Sequence, residues 1–457
     1  MKIQSRIPFR VRRPLSAALR RGGRMRSRVL SFAVAQVLSG GLTYVTLSML
    51  SRAIGPEQYA VFVVLWTSTI LVSQLLFVGF QYTATRFTAD YLARGKRPMD
   101  ALRPLLAVQS ALTVGFVLVF VLLSRVLLDR LFSGEEVVLA AFVAGVVFYS
   151  VSYTLRSVVM GLSHFGTMAI VLVLETLFRL GAAVVLVLVL DLGLTGAALS
   201  VVAGAVASVV IAPFIYSRLS SALVVGEAEG LSVRAATAFA LPALAVIGAQ
   251  QIILNSPVIV LHLFGGDAVP SVALSAFFSA LLISRIPQYV IGPVFSTLLP
   301  DFTSSAAQNN HALFRRRLVQ AGLLCTGTTV AMAVGYGLFG QFALRVFDSR
   351  YSIGRSHLAL LAAGVGVFLL ADVLHLAMTG RGRVLYSAAS WLAGLAAYVV
   401  IVAALGPDSL YTLEIGIIVA VSVPAALLWG GHTAAARRAT AEGRLVEPAG
   451  PSKGVVR

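Results

Sequence analysis

The side chains able to do chemistry are few, and they sit where charge is expensive. Arg179 and Arg285 each fall near the middle of a long apolar stretch, and Glu175, Asp372 and His375 lie in such stretches too. An ionisable group at the centre of a bilayer costs about 2.5–3.5 kcal/mol on insertion scales, so each needs a partner or a task. Arg285 has no acid within four residues along the chain. Its planar guanidinium suits an anion with two acceptor oxygens, such as a phosphate group. The competing reading is an ion pair with a distant acid such as Asp372. Glu175 precedes Arg179 by four residues, the favourable order for an ion pair on one helix. Either Glu175 neutralises Arg179, or Arg179 is a second anion-binding group.

Asp372 and His375 stand three apart and share a helix face. An acid beside an imidazole could serve proton or Na⁺ coupling; the plainer alternative is a hydrogen-bonded pair near the headgroups. Gln250, Gln251 and Asn255 offer amides for sugar hydroxyls, or equally for bonds between helices. Pro242 and Pro257 interrupt one apolar stretch, and Pro287 and Pro293 interrupt the next. Proline removes a backbone hydrogen bond and kinks a helix, so these four are candidate bends or hinges. No phosphate-binding loop GxxxxGK[ST], no HExxH and no GxSxG with plausible partners occurs. The single cysteine, Cys325, cannot form an internal disulfide and offers no metal cluster. No enzyme activity, cofactor or metal is expected.

The elements that carry these residues are apolar runs about 20 residues long, enough to span a bilayer as a helix. Charged residues make up 12% of the chain against roughly 25% in a soluble one, and hydrophobic residues 58%. Twelve spans are predicted, at 29–50, 59–80, 105–128, 137–157, 167–190, 196–217, 236–262, 271–299, 318–344, 357–378, 385–406 and 412–431. The fold class is therefore all-α and polytopic. A net charge of +18 could suggest nucleic acid, but its distribution argues otherwise. Of 36 Lys and Arg, 28 lie before the first span, after the last, or in even-numbered loops, including Arg156. Odd-numbered loops hold five: Arg52, Arg130, Arg345, Arg350 and Arg355. The positive-inside rule then places both termini in the cytoplasm, and no nucleic-acid partner is implied. The basic segment 1–28 leads into a first span of full length and reads as uncleaved. No loop is large enough for a folded catalytic or nucleotide-binding domain.

The twelve spans divide into a six-helix bundle at 29–217 and a second at 236–431, joined by a small, acidic linker at 218–235. The tail 432–457 lacks apolar periodicity and is expected to be disordered. An even number of helices per half gives both the same orientation. Ile54-Gly55-Pro56-Glu57 and Phe264-Gly265-Gly266-Asp267 follow the first helix of their respective halves, a short internal echo.

Four segments in order resemble the polysaccharide (O-antigen-type) flippase branch of the multidrug/oligosaccharidyl-lipid/polysaccharide exporter superfamily. LSRAIGPEQYAVFVVLWT is similar to its first loop, L-G-P-x-x-Y-G, with Gly55, Pro56 and Tyr59 kept but Ala60 in place of glycine. RSVVMGLSHFG resembles R-x-x-L-Q-G-L-x-R-F-G, departing at Met160 and His164. In the seventh span Asn255 matches an N-x-D pattern whose acid is here Pro257. SRIPQYVIGPVFSTLLPDFT is similar to A-R-x-P followed by L-L-P. The resemblance implies two bundles around a V-shaped cavity. It further implies alternating-access flipping of a polyprenyl-pyrophosphate-linked oligosaccharide across the plasma membrane for cell-surface polysaccharide. Arg285 and Arg179 would then meet the pyrophosphate. A polysaccharide polymerase and glycosyltransferases would be the working partners. The alternatives are a cation-coupled exporter of small amphipathic compounds, a lipid II flippase, and, from another class, a membrane-embedded glycan polymerase or ligase. The short outward loops argue against the last.

Overall fold

A computed structural model describes residues 15–228, 230–265, 269–308 and 310–441. Asp267 of the echoed loop, the start of the basic segment and the tail from 442 lie outside the described residues. Helices account for nearly all of the rest. They are α1 (Leu15–Ala93), α2 (Pro98–Leu131), α3 (Glu136–Gly161), α4 (Phe165–Ala183), α5 (Gly193–Val224), α6 (Val233–Gly265), α7 (Ser271–Ser284), α8 (Ile286–Ala307), α9 (His311–Phe347), α10 (Arg355–Gly380), α11 (Val384–Leu405) and α12 (Leu410–Ala441). A wide π-turn, Val184–Val189, ends α4. Among the described residues no strand forms beyond an isolated bridge, Lys96 to Glu227.

Among the described residues, eleven helical stretches are long and apolar enough to cross a membrane. The first, Ser31–Ala93, runs 63 residues. At 1.5 Å per residue it is roughly three times the hydrocarbon thickness, too long for one crossing. Gly55 breaks it, with φ 75 and ψ 166, backbone angles that only glycine adopts without strain. The two limbs fold back on each other. Tyr44 and Thr67, Gly40 and Ile70, and Gln36 and Gln74 all line one cavity, in positions that mirror about Gly55. The first expected turn has shrunk to little more than one residue, and twelve crossings result.

The eighth expected span is not continuous. α7 ends at Ser284, α8 begins at Ile286, and Arg285 occupies the junction with φ −87 and ψ −4. Pro287 falls in the first turn of α8, where its missing N–H leaves no bond unmade. It therefore starts a helix, just beyond the junction. Pro242 and Pro257 do lie inside α6. Pro293 lies within α8, its side chain outside the described residues.

One further segment differs from expectation, and the linker makes fixed contacts. α12 continues to Ala441, so the first part of the predicted disordered tail is helical. The segment between α5 and α6 is tied to the α1–α2 turn. Arg97 N donates to Glu227 O at 3.0 Å, and Glu227 N donates to Gly95 O at 2.9 Å. Arg97 Nε reaches Gly226 O at 2.9 Å.

Apolar residues both fill the interior and cover the outside. Leu118 and Leu122 on α2, and Leu338 and Phe342 on α9, are exposed, as befits helices facing hydrocarbon. Inside, small residues bring backbones together: a Cβ at Gly394 would lie 2.3 Å from Ala420 O, so α11 and α12 touch without side chains between them. The α1 hairpin binds the later helices directly. Ser275 Oγ donates to Pro56 O at 3.2 Å, Ser51 Oγ to Tyr351 OH at 2.9 Å, and the Tyr59 and Phe278 rings meet at 6.3 Å.

Candidate functional site

A cavity of about 400 Å³ opens between the two limbs of α1 and helices α4, α6, α7 and α8. The first limb presents Gln36, Ser39, Gly40, Thr43 and Tyr44, a helical stripe at spacings of three and four. The second limb adds Trp66, Thr67 and Gln74; α6 adds Gln251 and Asn255; the α7–α8 junction adds Arg285, Gln288 and Tyr289. Among the described residues Arg285 is the one charged side chain in this lining. Its backbone stays in the helical region, and from the one-residue junction its side chain reaches α6.

Arg285 is held rather than neutralised. Nη1 donates to Asn255 Oδ1 at 2.9 Å, and Nη2 donates to the carbonyl of Leu254. Asn255 Nδ2 donates in turn to Gln251 Oε1 at 2.9 Å and Gln251 O at 3.0 Å, which fixes the amide so that its oxygen faces the guanidinium. Asn255 and Gln251 thus orient Arg285. Tyr44 OH donates to Leu282 O and sets the opposite wall. Among the described residues no carboxylate forms an ion pair with Arg285, and Nε has no partner. The distant acid does not reach it: Asp372 Oδ1 accepts from Gln250 Nε2 at 3.1 Å instead.

The expected Glu175–Arg179 pair does not form. Glu175 accepts from Arg156 Nη2 and from the hydroxyls of Ser152 and Ser208, so α3, α4 and α5 converge on one buried carboxylate. Arg156, counted above among loop residues, lies inside α3 with its side chain 17% exposed. A partner in space has outcompeted the neighbour four residues away. Arg179 is 7% exposed; its Nη2 donates to Tyr149 OH at 2.6 Å, and its Cζ lies 4.9 Å from the centre of the Trp66 ring. It packs against Gly204, where a Cβ would come within 2.9 Å of Nε. Trp66 thus separates this second guanidinium from the cavity.

Asp372 and His375 bond in different directions. Asp372 meets α6 through Gln250, while His375 Nδ1 lies 2.5 Å from Ser387 Oγ on α11. Their spacing put them on one helix, but they do not act as an acid–imidazole pair in this structure. Sequence reading missed the polar stripe of Gln36, Ser39, Thr43 and Tyr44, although its helical spacing was readable, and it missed Gln74 on the second limb. It also missed Glu414, which is 1% exposed and whose Oε2 lies 2.8 Å from His357 Nδ1. Among the described residues no group of three or more His, Cys, Asp or Glu is arranged to hold a metal ion.

Solved structures share this fold. An inward-facing multidrug resistance MATE family transporter of the MOP superfamily superposes with a TM-score of 0.67 at 16% identity, covering 89% of this chain and 99% of that one. An outward-facing transporter of that description gives 0.61 at 14% identity, covering 92% and 97%. A MOP superfamily transporter from Pyrococcus furiosus Vc1 (DSM3638), described by a reverse polarity of its binding pocket, gives 0.60 at 15% identity, covering 91% and 97%. No curated protein matches the sequence at a significant level. The profile of one sequence family does match, over residues 26–306 and so over more than half of the 457 residues, and the chain belongs to that family, described as polysaccharide biosynthesis protein.

Proposed function

We propose that this protein flips a polyprenyl-pyrophosphate-linked oligosaccharide across the plasma membrane by alternating access, for the assembly of cell-surface polysaccharide. The observation that carries the reading is the lone, unneutralised guanidinium of Arg285 in an otherwise polar and apolar cavity. A half-buried cation without a carboxylate favours an anionic ligand, and its free edge offers the donors that a phosphate accepts. Gln36, Gln74, Gln251 and Ser39 supply hydrogen-bonding groups for the adjoining sugar. A cavity of about 400 Å³ is within the range of small-molecule sites, roughly 300–1,000 Å³, and holds the headgroup end of such a lipid rather than a whole glycan.

The competing reading, cation-coupled export of small amphipathic compounds, leaves this guanidinium without a partner unless the compound carries an anionic group. The pocket of reversed polarity named for one structural neighbour supports the idea that charge in this fold's cavity tracks what is carried. Residues 29–217 and 236–431 would move as the two halves, with both termini in the cytoplasm. Asp372, bonded across to α6, would be the coupling acid. A polymerase and glycosyltransferases would supply and consume the lipid-linked glycan. The test is reconstitution with a short-chain lipid-pyrophosphate oligosaccharide, scored by its exposure to an external glycosidase, beside efflux of an amphipathic cation. Glycan exposure that depends on the protein is expected. Cation efflux with no glycan exposure would overturn the reading.

A further inference from the structure

Far from the cavity, where the ends of α8, α9, α10 and α12 meet, two buried nitrogens lack partners around one aromatic ring. Arg381 caps α10, and its turn is rigid: Arg381 N and Arg383 N both donate to Met378 O, at 3.1 and 3.0 Å, and Gly382 N donates to Thr379 O at 2.9 Å. Its guanidinium carbon lies 4.2 Å from the centre of the Phe314 ring. Phe314 is itself buried against Phe302, with centroids 5.0 Å apart. His432, only 5% exposed, packs on the same ring at 6.0 Å. Arg381 Nη1 is buried and bonds to nothing, and so is His432 Nδ1.

These two vacancies are complementary. His432 Nε2 faces Leu374 O at 3.4 Å, so in the neutral ring Nε2 carries the proton and Nδ1 presents a lone pair. Arg381 Nη1 is a donor seeking an acceptor, and His432 Nδ1 is an acceptor seeking a donor; they are not bonded to each other. The nearby acid is already taken: Asp301 accepts from Arg317, whose Nη2 lies 3.4 Å from Oδ1 and whose Nη1 also donates to Ser305 Oγ at 2.7 Å. Among the described residues Arg381 makes no ion pair, while Arg383, Arg315 and Arg316 add exposed positive charge to the same end.

We infer that Arg381 and His432 form a second anion site, for a lipid phosphate that carries a neighbouring hydroxyl. A phosphate oxygen accepts from Arg381 Nη1, and the hydroxyl donates to His432 Nδ1. Basic pockets between membrane helices are suited to such headgroups. Two sources share this chemistry: a glycerol-headed phospholipid of the bilayer, and a lipid-pyrophosphate sugar approaching the cavity. The second source rests on the proposed function; the site itself does not.

The experiment measures binding of phosphatidylglycerol by the full chain in phosphatidylcholine nanodiscs, and separately binding of a short polyprenyl-pyrophosphate-linked monosaccharide. The variants are Arg381→Gln, His432→Phe (which keeps a ring against Phe314) and Arg234→Gln as a charge control. Arg381→Gln is expected to weaken one of the two ligands about tenfold, the size of one charge-assisted hydrogen bond, and His432→Phe to weaken the same ligand. Loss confined to phosphatidylglycerol identifies a bilayer phospholipid; loss confined to the pyrophosphate, with Arg285 intact, identifies the carrier. If Arg381→Gln and Arg234→Gln bind both ligands alike, the two buried nitrogens hold no lipid phosphate and the site is refuted. Transport measured on the same variants separates failure of this site from failure of the proposed function.

Discussion

Replacing Arg285 with alanine is the sharpest perturbation of the proposed site. The side chain spends Nη1 and one Nη2 hydrogen on Asn255 and Leu254, which leaves the remaining N–H groups for a ligand. Two charge-assisted hydrogen bonds to a pyrophosphate are worth about 1.5–3 kcal/mol each. Their loss amounts to about 3–6 kcal/mol, or an affinity lower by about 10²–10⁴. The lower end is expected, because Tyr289, Gln288 and cavity water remain near the anion. Arg285→Lys keeps the charge but not the fork, and an ammonium that donates to Asn255 and Leu254 keeps a single N–H for the ligand, so it should recover only part of the affinity. The assay is titration of purified protein with a short polyprenyl pyrophosphate, with membrane abundance measured in parallel. Folded Arg285→Ala protein that binds within about threefold of wild type would refute the assignment. Loss of the protein itself would show that the residue instead supports the α7–α8 junction.

Four other outcomes follow from the geometry. Arg156→Ala should destabilise the fold by about 3–5 kcal/mol, because it leaves the buried Glu175 carboxylate uncompensated; loss of folded yield in detergent checks this, and a stable variant would return Glu175 to Arg179. Gly55→Ala should cost about 1–3 kcal/mol through backbone strain alone, since nothing lies within 4 Å of the added Cβ; thermal unfolding reads it. Asp348 has its carboxyl held below the usual carboxylate value by hydrogen bonds from Arg350, with burial opposing. Its contribution to stability is therefore full above the unfolded value near 3.8 and fades as pH falls through the lower folded one; Asp348→Asn should remove that part of the acid sensitivity in melts across this range. Asp372→Asn should abolish the dependence of transport on an imposed gradient while substrate binding persists, and His375→Ala should leave that dependence intact because it bonds to Ser387; equal gradient-driven uptake by all three proteins would move coupling elsewhere.

The sequence made some features legible and hid others for physical reasons. Apolar length alone identified the crossings, because a bilayer imposes one thickness on every helix. It also placed the turn at Gly55, where Gly-Pro punctuates an apolar run. It did not place the break at Arg285. Hydropathy runs unbroken across Ser284 and Ile286, and Pro287 reads equally as a kink inside a helix or as the first turn of a new one. The misreading of Glu175 has the same root. A spacing of four brings Arg179 within reach, and one-dimensional text cannot show that α3 brings Arg156 closer, with Ser152 and Ser208 completing the carboxylate's shell. The two misses are linked in consequence. With Glu175 committed to Arg156, and Asp372 to Gln250, neither of the acids first offered as partners is free to neutralise Arg179 or Arg285. The inward positive charge survives because the carboxylates are bonded elsewhere. On the proposed reading the cavity's occupant is an anion, and Gln250, which does not line the cavity, contributes by holding Asp372 on α10 away from Arg285.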